Sequence, residues 1–356
     1  MPRPLRAIVS LSALRNNLAV ARSHSPQARV LAVVKANAYG HGMQRVAAAL
    51  SSADGFAVLD IESALCLRES GQRGTILLLE GFFEPGELMP ICEHRLTAVL
   101  HDAQQADVLM QARLPAPIDV FVKLNTGMNR LGLLPAQLTG VLQRLRDSAN
   151  VGNVTLMTHF ACADDDKGVA WQLDVFQAAT SMHSLPVSLA NSAALLRYPE
   201  LAVGWVRPGI MLYGASPFGD RTAAELGLQP AMTLESRIIA IQNLRAGDIV
   251  GYGATFTAAR AMRVGVVACG YADGYPRHAP SGTPVLVDGN PSGTVGRVSM
   301  DMLCVDLTHL PQAGVGASVV LWGVGLPVEE IASRAGTISY ELLCALAARV
   351  PIEEVA

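Results

Sequence analysis

The sequence predicts a (β/α)8 barrel followed by a smaller, mainly β domain. The first observation is that short apolar runs alternate with segments of helical spacing over about 210 residues. The second is that each run is continuously apolar, which is typical of parallel strands buried on both faces. The third is that polar residues follow the carboxyl ends of the runs, where barrels carry their active sites.

Eight runs rich in β-branched residues predict the strands of the barrel. In chain order they read "RVLAVVKA", "GFAVLD", "TILLLEG", "LTAVLH", "IDVFVKLN", "VTLMTHF", "PVSLANS" and "WVRPGIMLYG". Segments such as "MQRVAAALSS", "IESALCLRES" and "PAQLTGVLQRLRDSAN" predict the crossover helices. A doubly wound open sheet would show the same alternation, so the pattern favours the barrel without excluding the open sheet.

The alternation of apolar runs and helical segments ends after about residue 226. From Met232 onward, short apolar runs such as "LESRIIAIQNL", "RVGVVACG" and "ASVVLWG" are separated by Gly, Pro, Asp and Asn, and helical spacing returns only near the end. We therefore expect a barrel domain over residues 1–228 and a mainly β domain over residues 229–356.

Composition and charge limit the class of partner. The 356 residues are 51% hydrophobic and carry a net charge near −3, with no run of Lys or Arg suited to nucleic acid or an anionic membrane. A small-molecule partner is expected.

No secretory signal and no apolar stretch of about 18 residues are present, which predicts a cytoplasmic protein. The six cysteines are scattered without a C-x-x-C pair, so neither disulfides nor a metal site are expected.

Lys35 is the first candidate for chemistry. It closes the run "LAVVK", and a lysine held partly out of water at the mouth of a barrel has a lowered pKa and reacts as a nucleophilic amine with a carbonyl. A lysine in a salt bridge at the rim is the alternative interpretation. Other polar residues close further runs, among them Glu80, Lys123, His159 and Arg207.

The neighbouring motifs supply candidate ligands for an anion. Tyr39 stands about one helical turn after Lys35, and Gly209 with Ile210 in "RPGIMLYG" can offer backbone amides. In "ANSAALL", Asn191 and Ser192 are suited to begin a helix. An amine for a carbonyl and several donors for a phosphate together describe a pyridoxal 5'-phosphate site.

Eight motifs then carry a family resemblance. "VVKANAYGHG", "VKLNTGMNRLG", "THF", "NSAA", "VRPGIMLYG", "GYGATF", "GYADGYPR" and "VGRVSMDM" closely resemble the alanine racemases, in family order and over nearly the whole chain. "LLEGFF" and "YGASPFG" resemble the catabolic branch of that family. The resemblance implies an isomerase that interconverts L-alanine and D-alanine with pyridoxal 5'-phosphate, in a homodimer with shared active sites.

The resemblance also implies a role for individual residues. Lys35 would hold the cofactor and act as one of two bases, and Tyr252 would be the second base on the opposite face of the substrate. Arg207 would face the pyridine nitrogen, with His159 linking it to Tyr252. The residues implied to bind the cofactor phosphate are Tyr39, Ser192, Gly209, Ile210 and Tyr340, with Asn191 beside it.

The remaining implied roles concern the substrate. Arg130 and the backbone amide of Met300 would bind the alanine carboxylate, with Asp301 adjacent and Tyr271 lining the entrance. Lys123 matches a lysine that is often carbamylated in the family.

The alternatives are other proteins on the same barrel. They are a broader-specificity racemase, a basic amino acid decarboxylase, a D-amino acid lyase and a non-catalytic pyridoxal phosphate carrier. Tyr252 and the short "SMDM" segment favour the racemase over the decarboxylases. The carriers are single-domain proteins, whereas two domains are expected here.

Overall fold

The computed structural model describes residues 3–356. The chain opens with strand β1 (Arg6–Ser10) and helix α1 (Leu11–Ser23), which begins after Ser10, whose hydroxyl accepts a hydrogen bond from the amide of Ala13. This is the usual way in which serine satisfies a free amide at a helix start. The barrel strands follow: β2 (Arg29–Val33), β3 (Gly55–Val58), β4 (Thr75–Leu78), β5 (Thr97–Leu100), β6 (Ile118–Lys123), β7 (Val151–Met157), β8 (Val187–Ser188) and β9 (Trp205–Val206).

These eight strands confirm the predicted barrel. They pair in parallel and in sequence order from β2 to β8, and β9 pairs with β2. β8 and β9 are the two ends of this strand order, and one isolated parallel bridge, between Asn191 and Arg207, connects the segments that follow them. The sheet is therefore nearly closed rather than open, and β3, β4 and β5 are buried almost throughout, as their continuous apolar runs predict.

Helices connect the barrel strands and cover their outer side. They are α2 (Lys35–Tyr39), α3 (Met43–Ala49), α4 (Ile61–Glu69), α5 (Leu88–Glu93), α6 (Ala103–Gln111), α7 (Leu138–Arg146), α8 (Ala170–Thr180) and α9 (Ser192–Arg197). On α7 the buried residues Leu138, Val141, Leu142 and Leu145 recur at three- and four-residue spacing. The carboxyl ends of the strands are left to carry the side chains of the site.

The second part of the chain is mainly β, as expected. Its strands are β10 (Met232–Leu244), β11 (Ile249–Val250), β12 (Phe256–Thr257), β13 (Met262–Val267), β14 (Pro284–Val287), β15 (Asn290–Val295), β16 (Leu303–Asp306), β17 (Ser318–Trp322) and β18 (Ile352–Val355). Its helices are α10 (Val328–Ala335) and α11 (Ser339–Cys344). Six antiparallel strands close into a ring in the order β10, β13, β16, β15, β14 and β17.

The N-terminal strand belongs to this second sheet. β1 pairs antiparallel with β10 and parallel with β18, so residues 6–10 are hydrogen-bonded to strands more than 200 residues away. The predicted boundary at residues 228 and 229 stays a prediction. The pairing of β1 shows in addition that the chain crosses between the two sheets before the barrel begins.

The longest described helix, α1, has 13 residues, which is short of the roughly 20 that a membrane span requires. Among residues 3–356, none of the helices combines the length and the apolar character needed to cross a membrane.

Candidate active site

Lys35 stands at the carboxyl end of the barrel, where it is the second residue after β2 and follows Val34. Its side chain is partly buried. Burial and then the positive charge of Arg130 lower the pKa of its amine, and the nearby Glu80 opposes the shift. A lowered pKa increases the fraction of unprotonated amine, which is the form that attacks a carbonyl carbon.

The turn that follows Lys35 is left-handed. Ala36, Asn37, Ala38 and Tyr39 all have φ angles between 51° and 54°, so Tyr39 does lie one helical turn after Lys35, but on a turn of the opposite hand to an ordinary helix. Each non-glycine residue in this region costs roughly 1–2 kcal/mol. The surrounding contacts must therefore hold the turn in place.

His41 supplies part of that support. Its ring is fully buried, and burial lowers the pKa of the imidazole to about 4, so it is neutral at pH 7. Because carbonyl oxygens only accept, Nδ1 must carry the proton; it donates to the oxygen of Tyr39 at 2.8 Å and of Ala38 at 3.1 Å. The imidazole thus fixes the end of the left-handed turn.

Tyr213 fixes the position of the Tyr39 ring. The two rings stack with centroids 4.6 Å apart, and the Tyr213 hydroxyl donates to the carbonyl of Val33 at 2.8 Å. Tyr340 of α11 approaches Tyr39 from the second domain, with ring centroids 6.1 Å apart. Burial raises the pKa of both Tyr39 and Tyr340, so each phenol stays protonated and remains a hydrogen-bond donor.

Ser192 and the turn after β9 face this tyrosine. The Ser192 hydroxyl oxygen accepts hydrogen bonds from the amides of Gly209 at 2.8 Å and Met211 at 3.5 Å, which leaves its own proton free to donate elsewhere. The amide of Ile210 opens a short 3₁₀ helix, Ile210–Tyr213, and has no acceptor within that helix. Two candidate donors for an anion, the Ser192 hydroxyl at the start of α9 and the Ile210 amide on the turn after β9, therefore lie close together.

Gly209 allows the close approach. A Cβ atom at this position would lie 2.6 Å from the Tyr39 hydroxyl oxygen, well inside van der Waals contact. Its own amide is directed at Ser192 rather than left free. Asn191 caps α9, because its side-chain oxygen accepts from the amide of Ala194 at 3.0 Å.

Arg207 is buried behind this turn. Its guanidinium donates to the Ser188 hydroxyl at 2.5 Å, to the Thr158 carbonyl at 2.7 Å and to the Leu189 carbonyl at 3.3 Å. Burial lowers the pKa of Arg207 to about 10, so the group remains a cation at neutral pH. A fixed cation is thereby held at the carboxyl end of β9.

Lys123, Arg130 and His159 line one small cleft next to it. Burial and then the charges of Arg207 and Arg130 lower the pKa of Lys123 to about 8. Burial and the same cations hold the pKa of His159 well below its ordinary value, so its imidazole is neutral. Within residues 3–356, no hydrogen bond connects the imidazole of His159 with the guanidinium of Arg207 or with the hydroxyl of Tyr252.

The remaining candidates stand on the second domain and face outward. The side chains of Tyr252, Met300 and Tyr271 are 70%, 53% and 39% exposed. Tyr252 lies on a short turn between β11 and β12, and within residues 3–356 its hydroxyl has no hydrogen-bond partner. The Asp301 carboxylate accepts from Arg349 at 2.6 Å. The candidate residues of the barrel therefore lie close together, whereas Tyr252, Tyr271, Met300 and Asp301 lie on the surface of the chain.

Comparison with known proteins decides the family. A family model described as alanine racemase, N-terminal domain, matches residues 9–217, and one described as alanine racemase, C-terminal domain, matches residues 231–353. The chain belongs to the alanine racemase family. The resemblance carried by the eight motifs is confirmed.

Individual relatives in the alanine racemase family cover the whole chain. An alanine racemase of Thiobacillus denitrificans is 61% identical over 99% of this chain and 96% of its own length. A catabolic alanine racemase of Klebsiella aerogenes is 54% identical over 99% of both chains, so the relatives include the catabolic branch. The crystal structure of a biosynthetic alanine racemase from Pseudomonas aeruginosa superposes with a TM-score of 0.97 at 49% identity, covering 99% of this chain and 100% of that one.

Four residues that support the site of this alanine racemase family member were not among the predicted site residues. Tyr213 and His41 support the Lys35 turn, and Ser188 and Thr158 anchor Arg207. Both Tyr213 and His41 lie inside motifs that were recognised, "IMLYG" and "KANAYGHG", but their partners are fixed only by the tertiary fold. Within residues 3–356, no three His, Cys, Asp or Glu side chains are placed to hold a metal ion.

Proposed function

We propose that this chain interconverts L-alanine and D-alanine, using pyridoxal 5'-phosphate held by Lys35. The observation that carries the proposal is the juxtaposition of two strand ends. β2 and β9 are paired neighbours, and the amide of Val33 donates to the carbonyl of Pro208 at 3.0 Å. The amine of a lysine with a lowered pKa and a set of uncharged anion donors therefore stand side by side.

The residues present fit such a cofactor. Three donors without an acceptor of their own meet at the turn after β9: the Ile210 amide on the turn itself and the hydroxyls of Tyr39 and Ser192 beside it. The absent Cβ of Gly209 leaves room beside the Tyr39 hydroxyl. Tyr340 adds a fourth donor from the second domain. These groups would hold the phosphate, with Asn191 fixing the start of α9 beside them.

The reaction needs two proton-transferring groups. When bound, pyridoxal phosphate withdraws electrons from the α-carbon of the amino acid and makes its hydrogen acidic. The amine of Lys35 removes or returns that proton on one face, and the phenol of Tyr252 serves the other face. Because the guanidinium of Arg207 keeps its proton, it would leave the pyridine nitrogen unprotonated, which favours prompt return of the proton over side reactions.

Tyr252 implies a second chain. Its side chain is 70% exposed here, and a phenol at the surface of one chain serves a catalytic role only when it is covered. We propose a homodimer with twofold symmetry, in which Tyr252, Tyr271 and Met300 of each chain complete the barrel site of the other. Arg130 and the Met300 amide would bind the alanine carboxylate, Asp301 would stand beside them, and Tyr271 would line the entrance.

The alternative functions are not favoured. The full-length relatives at 54–61% identity are named alanine racemases, and both family domains are present. These observations favour an alanine racemase over a broader-specificity racemase, a decarboxylase, a lyase or a single-domain carrier. A cytoplasmic location stays part of the proposal.

The wild-type protein provides the direct test. We expect it to show the absorption band of a lysine-bound pyridoxal group and to convert L-alanine to D-alanine. Borohydride should remove the band and attach the cofactor to the peptide that contains Lys35. A colourless protein that does not racemise alanine when given the cofactor would contradict the proposal.

Lys123 yields a separate prediction. The residue is 7% exposed and surrounded by cations, with no ion-pair partner within residues 3–356. Its pKa of about 8 leaves an appreciable neutral fraction of the amine at pH 7 to 8. A neutral amine adds CO₂ and releases one proton to solvent, and the carbamate so formed would be an anion able to pair with Arg130. We expect removal of CO₂ and bicarbonate to lower activity, and acidification below pH 8 to deepen the loss because protonation removes the reactive amine.

Lys123→Met provides the control for this experiment. The variant should be impaired and indifferent to CO₂, and short carboxylic acids should restore part of its activity by replacing the carbamate. Mass spectrometry or ¹³C NMR with labelled bicarbonate should report one carbamate in the wild type alone. An unmodified wild-type Lys123 with full activity would contradict the prediction.

A further inference from the structure

Four charged side chains form a compact cluster beneath Tyr271 and Met300. We call Arg3, Asp273, Arg349 and Asp301 the rim network. Asp273 is fully buried, and its carboxylate accepts from Arg3 at 2.6 Å and 2.7 Å and from Arg349 at 2.8 Å. Arg349 also donates to the Asp301 carboxylate, and Arg3 to the Asp301 carbonyl, both at 2.6 Å.

The rim network joins two turns that carry exposed candidate residues. Tyr271 and Asp273 lie on one short 3₁₀ turn, and Met300 and Asp301 are consecutive on the other. The amide of Tyr271 donates to the Ser299 carbonyl at 3.1 Å, and that of Ala272 to the Met300 carbonyl at 3.0 Å. A Cβ on Gly270 would lie within 2.4 Å of the carbonyl oxygens of Ser299 and Met300, so the two turns are in direct contact.

The two arginines come from opposite ends of the chain. Arg3 precedes β1, and Arg349 lies between α11 and β18, so the turns are tied to segments that pair with each other in the second sheet. The amide of Ala347 also donates to the carbonyl of Asp273 at 3.1 Å. A buried carboxylate held by two bidentate-capable guanidinium groups has a defined geometry, which a pair of exposed charges does not provide.

We propose that the rim network is a positioning device through which each chain holds Tyr271 and the Met300 amide in place for the active site of its partner. The inference rests on the proposed function, in which these two residues complete the other chain's barrel. Arg3 and Arg349 are positioning residues, because they act through the two turns and not on the substrate. Loss of the network should therefore affect substrate binding more than turnover.

Arg6 offers a matched control for Arg3. It lies three residues away, at the start of β1, and pairs with Glu235 and Glu353 at 2.5 Å without contacting either turn. We expect Arg3→Met to raise KM for L-alanine by about tenfold or more, with kcat changed less, because small displacements of binding groups are costly. Arg6→Met should leave both constants near the wild-type values even where the two variants lower the melting temperature equally.

A hybrid dimer separates positioning from a loss of stability. Lys35→Ala chains and Arg3→Met chains, each with its own affinity tag, are allowed to exchange, and the mixed dimer is purified through both tags. Its one barrel with Lys35 belongs to the Arg3→Met chain and faces an intact rim network on the partner. We expect this site to show the wild-type KM, although the pure Arg3→Met dimer does not.

Two outcomes would overturn the inference. One is a hybrid KM equal to that of the Arg3→Met dimer, which would show that the network acts within its own chain. The other is an unchanged KM in the Arg3→Met dimer. If that variant does not fold, Arg349→Met breaks the other two hydrogen bonds and carries the same expectation and the same two contradicting results.

A reference hybrid distinguishes this inference from the proposed function. Lys35→Ala chains mixed with Tyr252→Phe chains should regain activity if sites are shared, whatever the rim network does. If this reference hybrid regains activity while the KM of the Arg3→Met dimer is unchanged, the positioning role of the rim network is refuted and the shared site is not. No recovery after proven exchange would refute the shared site and, with it, the inference.

Discussion

Replacing Lys35 with alanine should lower the rate of racemisation by at least about 10³-fold, because in the proposed mechanism the variant loses both the group that holds the cofactor and one of the two bases. The structure supports so large an effect, since the amine stands partly buried at the end of β2 with a lowered pKa. The assay is conversion of L-alanine and of D-alanine, each followed by chiral chromatography.

Lys123→Met is the matched control for cofactor attachment. Lys123 is the second lysine of the barrel mouth, more buried than Lys35, and its pKa is also lowered. Borohydride reduction should attach the cofactor to Lys123→Met and to the wild type but not to Lys35→Ala. Attachment that persisted in Lys35→Ala would assign the cofactor to another lysine.

Replacing Tyr252 with phenylalanine should cripple inversion while sparing proton exchange on one face. The change removes a single hydroxyl from an exposed side chain, so cofactor binding and the barrel residues should be unaffected. The family resemblance implies that Tyr252 would take the α-proton of L-alanine and that Lys35 would take that of D-alanine. In deuterated water, D-alanine should therefore exchange its α-hydrogen slowly with retained configuration, whereas L-alanine should bind and barely exchange.

Tyr271→Phe provides the comparison, since it removes a hydroxyl from another exposed tyrosine of the same domain. Deuterium content and chirality are measured together from each enantiomer, by mass spectrometry after chiral separation. Tyr271→Phe should exchange both enantiomers. Exchange of L-alanine alone by Tyr252→Phe would reverse the assignment of the bases, and near-normal racemisation would remove Tyr252 from the reaction.

The barrel could be predicted because its strands carry their own signal. β4, for example, reads "TILL" and is buried from Ile76 onward, so burial on both faces leaves a continuous apolar run. In β1, which reads "RAIVS", burial alternates from residue to residue instead of being continuous. Its pairing partners lie more than 200 residues away in the sequence. A periodicity identifies a strand and does not identify the sheet that it joins.

The site was predictable in composition and not in conformation. Lys35, Tyr39 and Ser192 were recognised from local motifs, whereas the left-handed turn over 36–39 was not, because alanine and tyrosine have no preference for positive φ. That turn depends on His41 and on Tyr213, which is 174 positions after Tyr39 in the numbering. The rim network escaped prediction for the same reason, since it joins residues near both ends of the chain.

The most direct test of the two-base, shared-site proposal is the activity of a hybrid between Lys35→Ala and Tyr252→Phe chains, each of which we expect to be nearly inactive in racemisation as a pure dimer. If the bases come from different chains, the hybrid contains one site that lacks both and one that has both. We expect the purified hybrid to racemise alanine at about half the wild-type rate per dimer, since one of two sites is intact. A hybrid with no more activity than its parents, after exchange is proven, would show that Lys35 and Tyr252 act within one chain or not as a pair.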